Sequence, residues 1–179
     1  MNNTSHSSMF TIPFFKTKVE SWDKIKTQIL DVLNSDYQTD ESGFETDYFQ
    51  KNKYSGYVYD ILRPSISTIT RTYFNCNPPM MPPDMWTQKY CNKSEHPIHN
   101  HGNGGISFIL YLKFNPSVHK ATRFYSPFND FLTGEIMSYV PEVEEGDLVA
   151  FPSMLMHSSQ YQTTDEERMI LSFNIYEFG

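Results

Sequence analysis

The sequence predicts a mainly β protein, a double-stranded β-helix (jelly roll) with a few flanking helices. With 179 residues, the chain is long enough for one domain with a hydrophobic core, and we expect a single domain over residues 1–179. Aromatic residues make up 16% of it and it contains 11 prolines, which favours short strands and turns over a helical bundle. Apolar runs of strand length, separated by turn signals, fill its second half.

The charge balance and the termini exclude several classes of protein. The net charge is −7 and the pI is about 5.3, so phosphate neutralisation cannot drive binding and we expect no nucleic-acid partner. Residues 1–8 lack the charged-then-apolar order of a signal peptide, and we expect them to be disordered. No apolar run is long enough to span a membrane, which predicts a cytoplasmic protein. Cys76 and Cys91 are expected to be free thiols there, with one bridge as the alternative.

The first half predicts few regular elements. Residues 9–15 predict a short edge strand that Pro13 interrupts. Ser21 predicts an N-cap, and the spacing of Trp22, Ile25, Ile29 and Leu33 predicts a helix that ends near Asn34 and Ser35. Residues 36–55 predict a loop. Residues 66–74 mix β-branched and aromatic side chains, which favours a strand, with a buried helix as the alternative. The proline-rich residues 77–83 predict an exposed connector or lid.

The second half predicts a series of strands. These are residues 86–90, 106–114, 122–125, 148–152 and 168–176, with His157 in or just after a continuation of the fourth. Residues 115–121 predict a turn with His119 exposed, and residues 126–138 and 160–167 predict loops. In the last strand, alternation places Arg168, Ile170, Ser172 and Asn174 on one face. An inward cation there needs an anion, which is either an internal Asp or Glu or a bound carboxylate ligand.

A histidine cluster stands at the centre of the sequence. His96, His99 and His101 fall within six residues, just before a Gly-rich turn and the apolar strand 106–114. Residues two apart in an extended chain point the same way, so His99 and His101 can reach one ion. Neutral imidazole binds divalent transition metals, and His157 is the strongest candidate for a third ligand. We expect His96 to lie behind the ligands or to be exposed.

An ordered set of features in this chain resembles the pattern of the 2-oxoglutarate- and Fe(II)-dependent oxygenases. The features are H-x-H, a glycine turn, an apolar strand with Tyr111, the segment from Gly146 to Pro152, a distal histidine and Arg168. The resemblance covers about residues 86–177 and looks closest to a prolyl-hydroxylase-like branch, mostly from bacteria and phages. It implies that the cytoplasm is that of a bacterium or a phage-infected host.

The resemblance implies a role for each matching residue. His99, His101 and His157 match the three metal-ligand positions. Arg168 and Tyr111 match the residues that bind the distal carboxylate of 2-oxoglutarate, and Ser172 and Asn174 lie on the face of Arg168 as further candidates for cofactor binding. The implied cofactors are Fe(II) and 2-oxoglutarate, with ascorbate as a reductant. The implied reaction uses O₂ to hydroxylate a small-molecule or peptidyl substrate.

This chain departs from the family pattern at His101, which occupies the position that a carboxylate usually holds. The usual non-haem Fe(II) site has two histidines and one carboxylate, whereas three imidazoles would remove one negative charge. A second alignment makes His101 the first ligand and Asn103 the residue in the carboxylate position. The missing carboxylate also keeps open an alternative function, a cupin-type metal-binding jelly roll without 2-oxoglutarate turnover.

Overall fold

The computed structural model describes residues 10–176 and consists mainly of antiparallel strands. It has two helices, α1 (Trp22–Leu30) and α2 (Ser55–Phe74). The strands that precede the glycine turn are β1 (Phe15–Lys18), β2 (Gln38–Thr39), β3 (Glu45–Thr46), β4 (Met85–Tyr90) and β5 (His96–His99). Those that follow it are β6 (Ile106–Lys113), β7 (Thr122–Asn129), β8 (Ile136–Tyr139), β9 (Asp147–Pro152), β10 (His157–Ser159) and β11 (Arg168–Ile175).

The strands form two sheets. One has seven strands in the order β1-β9-β6-β11-β4-β3-β2, and the other has four in the order β5-β10-β7-β8. Every paired strand is antiparallel to its neighbour. Two facing antiparallel sheets with a few helices are the arrangement of a jelly roll, so the predicted fold class is confirmed.

Alternation along β11 assigns its side chains to two cores. Met169, Leu171 and Phe173 pack with α1 and α2 on the outer face of the seven-stranded sheet. Ile170 points the other way, into a second cluster that includes side chains from both sheets. Arg168 lies two residues from Ile170 and therefore shares this inner face, as the sequence predicted.

Helix α2 replaces the strand that we preferred for residues 66–74, and the alternative of a buried helix is confirmed. Val58, Leu62, Ile66 and Ile69 are at most 2% exposed and recur at helical spacing on one face. Burial of this face in the outer core outweighs the strand propensity of its β-branched residues.

Four other boundaries differ from the prediction. Of the described residues in the edge strand predicted over 9–15, only Phe15 lies in a strand, and that strand, β1, continues to Lys18. Helix α1 ends at Leu30, although its apolar spacing continues to Leu33, and Ser21 occupies the N-cap position without a side-chain capping bond. The predicted loop 36–55 contains the short hairpin β2–β3, which extends the larger sheet at its edge. The predicted loop 126–138 contains the end of β7 and most of β8, joined by a turn at Asp130. The predicted disorder of residues 1–8 lies outside the described residues.

His119 is buried rather than exposed. Its Nδ1 accepts a hydrogen bond from the backbone N–H of Asn115 at 2.9 Å, and its Nε2 lies 2.9 Å from the carbonyl oxygen of Glu166. The ring also packs against Phe114, with centroids 5.6 Å apart. This histidine therefore ties the turn after β6 to the segment before β11.

Gly146 is required by close packing at the turn before β9. Its φ is +85°, and an added Cβ would lie 2.5 Å from Cγ of Trp22. We expect Gly146→Ala to lower the free energy of unfolding by about 2–5 kcal/mol, because left-handed strain and overpacking add. The matched control is Gly134→Ala, where φ is +73° and the space is open, so only about 1–2 kcal/mol of strain applies. If urea denaturation showed the same loss of unfolding free energy in both variants, the contact with Trp22 would not contribute to the effect.

Within residues 10–176, neither helix is long and apolar enough to cross a membrane.

Candidate metal centre

Three histidine rings converge at one end of the smaller sheet. His99 on β5 lies directly opposite His157 on β10, and their ring centroids are 4.3 Å apart. His101 follows β5, and its ring centroid is 5.0 Å from that of His157 and 5.3 Å from that of His99. One ring nitrogen from each residue lies within 4.8 Å of the other two. The structure therefore brings together all three residues that the sequence predicted as metal ligands.

Backbone contacts hold His101 in place although it lies outside a strand. Its N–H donates to the carbonyl oxygen of Ser153 at 2.8 Å. Its own carbonyl accepts a hydrogen bond from the Tyr176 hydroxyl at 2.9 Å. These two bonds anchor the backbone of His101 through both its N–H and its carbonyl, so the position of the third imidazole does not depend on a β-ladder.

The hydrogen bonds of two rings define their tautomers. Nδ1 of His99 lies 2.8 Å from the Pro97 carbonyl oxygen, and Nδ1 of His157 lies 2.9 Å from the Leu155 carbonyl oxygen. A carbonyl can only accept, so each Nδ1 carries the proton and each Nε2 keeps a free lone pair. Carbonyl partners of this kind are typical of metal-binding histidines.

Burial keeps these imidazoles neutral. Burial first and the neighbouring His99 second lower the pKa of His157 to about 3 and that of His101 to about 4. The pKa of His99 is also lowered, again by burial. Near neutral pH all three rings are therefore uncharged, which is the protonation state that a metal ligand needs.

His96 packs behind the candidate ligands. Its ring stacks on His99 with centroids 3.9 Å apart, and Phe44 covers its other side at 4.5 Å. Nε2 of Gln88 lies 3.0 Å from Nδ1 of His96, and Oε1 of Gln88 accepts a bond from the Ser172 hydroxyl at 3.3 Å. Burial lowers the pKa of His96 to about 4. This residue fixes the orientation of the His99 ring.

Arg168 is a fully buried cation without a carboxylate partner. Its Nη1 donates to Oγ of Ser159 at 2.9 Å and its Nη2 donates to Oγ1 of Thr122 at 3.3 Å, while Nε has no partner. Its Cζ lies 4.6 Å from the ring centroid of Tyr90 and 5.7 Å from that of Tyr111. No ion pair in residues 10–176 involves Arg168. Burying such a charge costs several kcal/mol unless an anion compensates it.

The guanidinium of Arg168 packs against the same face of β10 from which His157 projects. Ser159 and His157 are two residues apart on β10, so their side chains point the same way and their Cα atoms are about 7 Å apart. Ser159 also lies opposite Thr122 on β7, which places both hydroxyl partners of Arg168 on adjacent strands. A short dianion bound to the metal can therefore extend towards Arg168.

The other predicted cofactor residues lie at different distances from Arg168. Tyr111 is close to it, and its hydroxyl donates to Oγ1 of Thr122 at 3.3 Å. Ser172 is nearer the histidines, through Gln88 and His96. Asn174 accepts a bond from Ser107 and lies six positions after Arg168 along β11, which is about 20 Å. The structure does not bring Asn174 to the guanidinium.

Sequence reasoning did not identify the residues that surround Arg168, namely Tyr90, Thr122 and Ser159. Burial raises the pKa of Tyr90 to about 12, so it faces the cation as a neutral ring. Alternation could have identified Ser159, since it lies two residues after His157, and Tyr90, since it lies two residues after Gln88.

A cavity of about 260 Å³ opens beside His99 and His101. Its wall is largely aromatic, and its lining residues are Asp40, Phe44, Thr46, Tyr48, Phe49, Trp86, Gln88, His96, His99, Asn100 and His101. A larger groove of about 890 Å³, lined in part by Lys16, Phe114 and Glu142, contains none of the three candidate ligands. The smaller cavity therefore gives a substrate access to His99 and His101.

Comparison with known families gives one match. Residues 84–174, just over half of the chain, match a family described as "Putative 2OG-Fe(II) oxygenase". The matched segment includes all three histidines and Arg168. No curated protein matches the chain in sequence.

Solved structures share the fold at low sequence identity. A prolyl-4-hydroxylase from Pseudomonas putida superposes with a TM-score of 0.60 at 14% identity, over 93% of this chain and 94% of that one. A viral collagen prolyl hydroxylase from Paramecium Bursaria Chlorella virus-1, in complex with 2-oxoglutarate, gives 0.59 at 13% identity over 90% and 94%. HygX from Streptomyces hygroscopicus, with nickel, 2-oxoglutarate and hygromycin B bound, gives 0.64 at 13% identity over 92% and 82%.

Proposed function

The chain belongs to the 2OG-Fe(II) oxygenase family, and from that premise we propose that it is a 2-oxoglutarate-dependent hydroxylase with an all-histidine iron site. His99, His101 and His157 hold Fe(II), and Arg168 binds the distal carboxylate of 2-oxoglutarate. The family match favours this function over the cupin-type alternative.

A single observation carries the proposal. Three neutral imidazoles and one uncompensated, fully buried guanidinium lie along the same inner face. In a protein without an anionic ligand, the burial of Arg168 there costs free energy, because replacement of a buried charge by an apolar residue is often stabilising. A dicarboxylate that reaches from the metal to Arg168 explains both features at once.

Each of these residues has a defined task. The Nε2 lone pairs of His99 and His157 point away from their carbonyl partners and are free for the metal. Ser159 and Thr122 orient the guanidinium by accepting one hydrogen bond from each terminal nitrogen. A guanidinium fixed in this way can donate charge-assisted bonds to a carboxylate with little further loss of side-chain entropy.

Aromatic side chains shield the site from water. Phe151 and Phe124 lie beside His157, with ring centroids 4.9 Å and 5.9 Å from its own. When bound, iron and 2-oxoglutarate supply a reaction in which O₂ gives one oxygen to succinate and one to the substrate, CO₂ leaves, and a C–H bond becomes C–OH. The apolar wall limits side reactions with solvent during this chemistry.

The proposed substrate is a small molecule or a peptidyl side chain, with ascorbate as a reductant that keeps the iron ferrous. The net charge of −7 disfavours a nucleic-acid substrate, because a strongly anionic protein repels phosphates.

Succinate release tests the proposed function. Wild-type protein with Fe(II), 2-oxoglutarate, ascorbate and O₂ is expected to form succinate even without a substrate, and His157→Ala is expected to form none. Glu135→Gln, at an exposed position between β7 and β8, is the matched control and is expected to retain the wild-type rate. Absence of succinate from wild-type protein that has been shown to contain iron would contradict the proposal.

A further inference from the structure

Two chains of aromatic rings lead to the candidate metal ligands, one from the exposed rim of the 260 Å³ cavity and one from its buried wall. In the first, Phe49 contacts Tyr48 at 5.3 Å, Tyr48 contacts Trp86 at 5.2 Å and Trp86 contacts His101 at 5.7 Å between ring centroids. In the second, Phe44 contacts His96, which stacks on His99. The cavity therefore has π surfaces on two sides and the metal centre at one end.

Among residues 10–176, Asp40 is the only aspartate, glutamate, lysine or arginine in the lining of this cavity. It lies at the end of β2, where its Oδ1 accepts a hydrogen bond from the backbone N–H of Ser42 at 2.8 Å. Within residues 10–176 it forms no ion pair. The turn holds this carboxylate at the rim, and no lysine or arginine of the lining neutralises it.

We propose that the cavity binds the alkylammonium group of a lysine-like substrate, with the cation between Asp40 and the aromatic rings. This inference rests on the proposed function for the idea that the bound molecule is hydroxylated. Aromatic faces attract cations through their quadrupoles, and tryptophan and tyrosine do so best. A carboxylate adds the charge complement that a neutral ligand would not need.

The size of the cavity suits a ligand no larger than a single amino-acid side chain. Sites for drug-sized molecules measure about 300–1,000 Å³, and 260 Å³ lies just below that range. The exposed edges at the rim also suit a ligand that remains attached to a larger molecule, since Tyr48 is 56% exposed and Phe49 is 71% exposed. An amino-acid side chain or a small amine therefore fits better than a large multi-ring product.

Calorimetric titration of the metal-free protein tests this inference without any turnover. The probes are Nα-acetyl-lysine methylamide and its norleucine counterpart, which has a similar shape but no charge. We expect the lysine derivative to bind at least about tenfold more tightly. Asp40→Asn is expected to remove most of this preference, because the amide keeps the bond to Ser42 and loses only the charge. Tyr48→Leu is expected to weaken lysine binding about three- to tenfold.

Glu41→Gln is the matched control, because it removes an exposed carboxylate adjacent to Asp40 that does not line the cavity. It is expected to leave the affinity for the lysine derivative within about twofold. Equal binding of the two probes, no binding of either, or an unaltered preference in Asp40→Asn would each overturn the inference.

A parallel titration of metal-loaded protein with 2-oxoglutarate separates this inference from the proposed function. If the protein preferred the lysine derivative but did not bind 2-oxoglutarate, only the proposed oxygenase function would be overturned. If the protein bound 2-oxoglutarate but did not prefer the lysine derivative over its norleucine counterpart, only the proposed ammonium site would be overturned.

Discussion

Arg168→Met is expected to weaken 2-oxoglutarate binding at least about 100-fold while leaving the ligand-free protein as stable as wild type, or more stable by about 1–4 kcal/mol. The first effect follows because two charge-assisted hydrogen bonds are lost, each of about 1.5–3 kcal/mol. The second follows because no carboxylate in the described part of the chain balances the buried guanidinium. Methionine keeps the packing against Tyr90 and removes the desolvated charge.

Two measurements check this expectation. Calorimetry with metal-loaded protein gives the affinity for 2-oxoglutarate, and urea denaturation gives stability with and without the ligand. At 100 times its dissociation constant for wild-type protein, 2-oxoglutarate should stabilise the wild type by about 2.7 kcal/mol and the variant by at most about 0.4 kcal/mol.

Arg123→Met is the matched control. Arg123 follows Thr122 on β7, is only half-buried and donates to Oε1 of Gln160 at 2.8 Å. Its replacement is expected to leave 2-oxoglutarate binding unchanged. If instead Arg168→Met destabilised the ligand-free protein by about 3–5 kcal/mol and kept its affinity for 2-oxoglutarate, Arg168 would be a structural residue.

The sequence predicted the central strands well because their apolar runs have the length of a strand. Along β11, the inner face meets the core between the sheets and the outer face meets the helices, so a period of two separates the two sets of residues. Helix α2 was harder because Ile66 and Ile69 favour strands locally. Its helical period becomes decisive only when it is followed over the whole segment from Val58 to Ile69.

The candidate site could be predicted in part for a related reason. The histidines and Arg168 are chemically distinctive, and their order along the chain resembles a known family. Ser159 and Thr122 are ordinary hydroxyl residues, and they contact Arg168 only because β10 pairs with β7 in one particular register. His119 illustrates the same limit, since its partner Glu166 is 47 residues away in sequence. Local patterns do not contain such long-range contacts.

The second large effect concerns metal affinity and is expected at His101, because this residue stands where the family usually has a carboxylate. His101→Asn is expected to lower the affinity for divalent metal by more than about 100-fold, since loss of a ligand should exceed the 10- to 100-fold cost of losing a ligand's hydrogen-bond partner. His101→Asp is expected to bind the metal at least about tenfold more tightly than His101→Asn, because a carboxylate contributes a negative charge to the site. Competition with a chromophoric chelator measures the metal affinity of the wild type, of His101→Asn and of His101→Asp.

The aspartate variant should also reveal the electrostatic cost of a carboxylate at this position. In the metal-free protein its charge would be half-buried among neutral rings, so we expect lower stability than wild type until metal is added. His119→Asn is the control for the loss of an imidazole elsewhere, and it should lower stability without altering the affinity of the folded protein for metal. Wild-type affinity in His101→Asn would mean that His101 is not a ligand. The all-histidine site would then have to be replaced by one built on His99 and His157 alone.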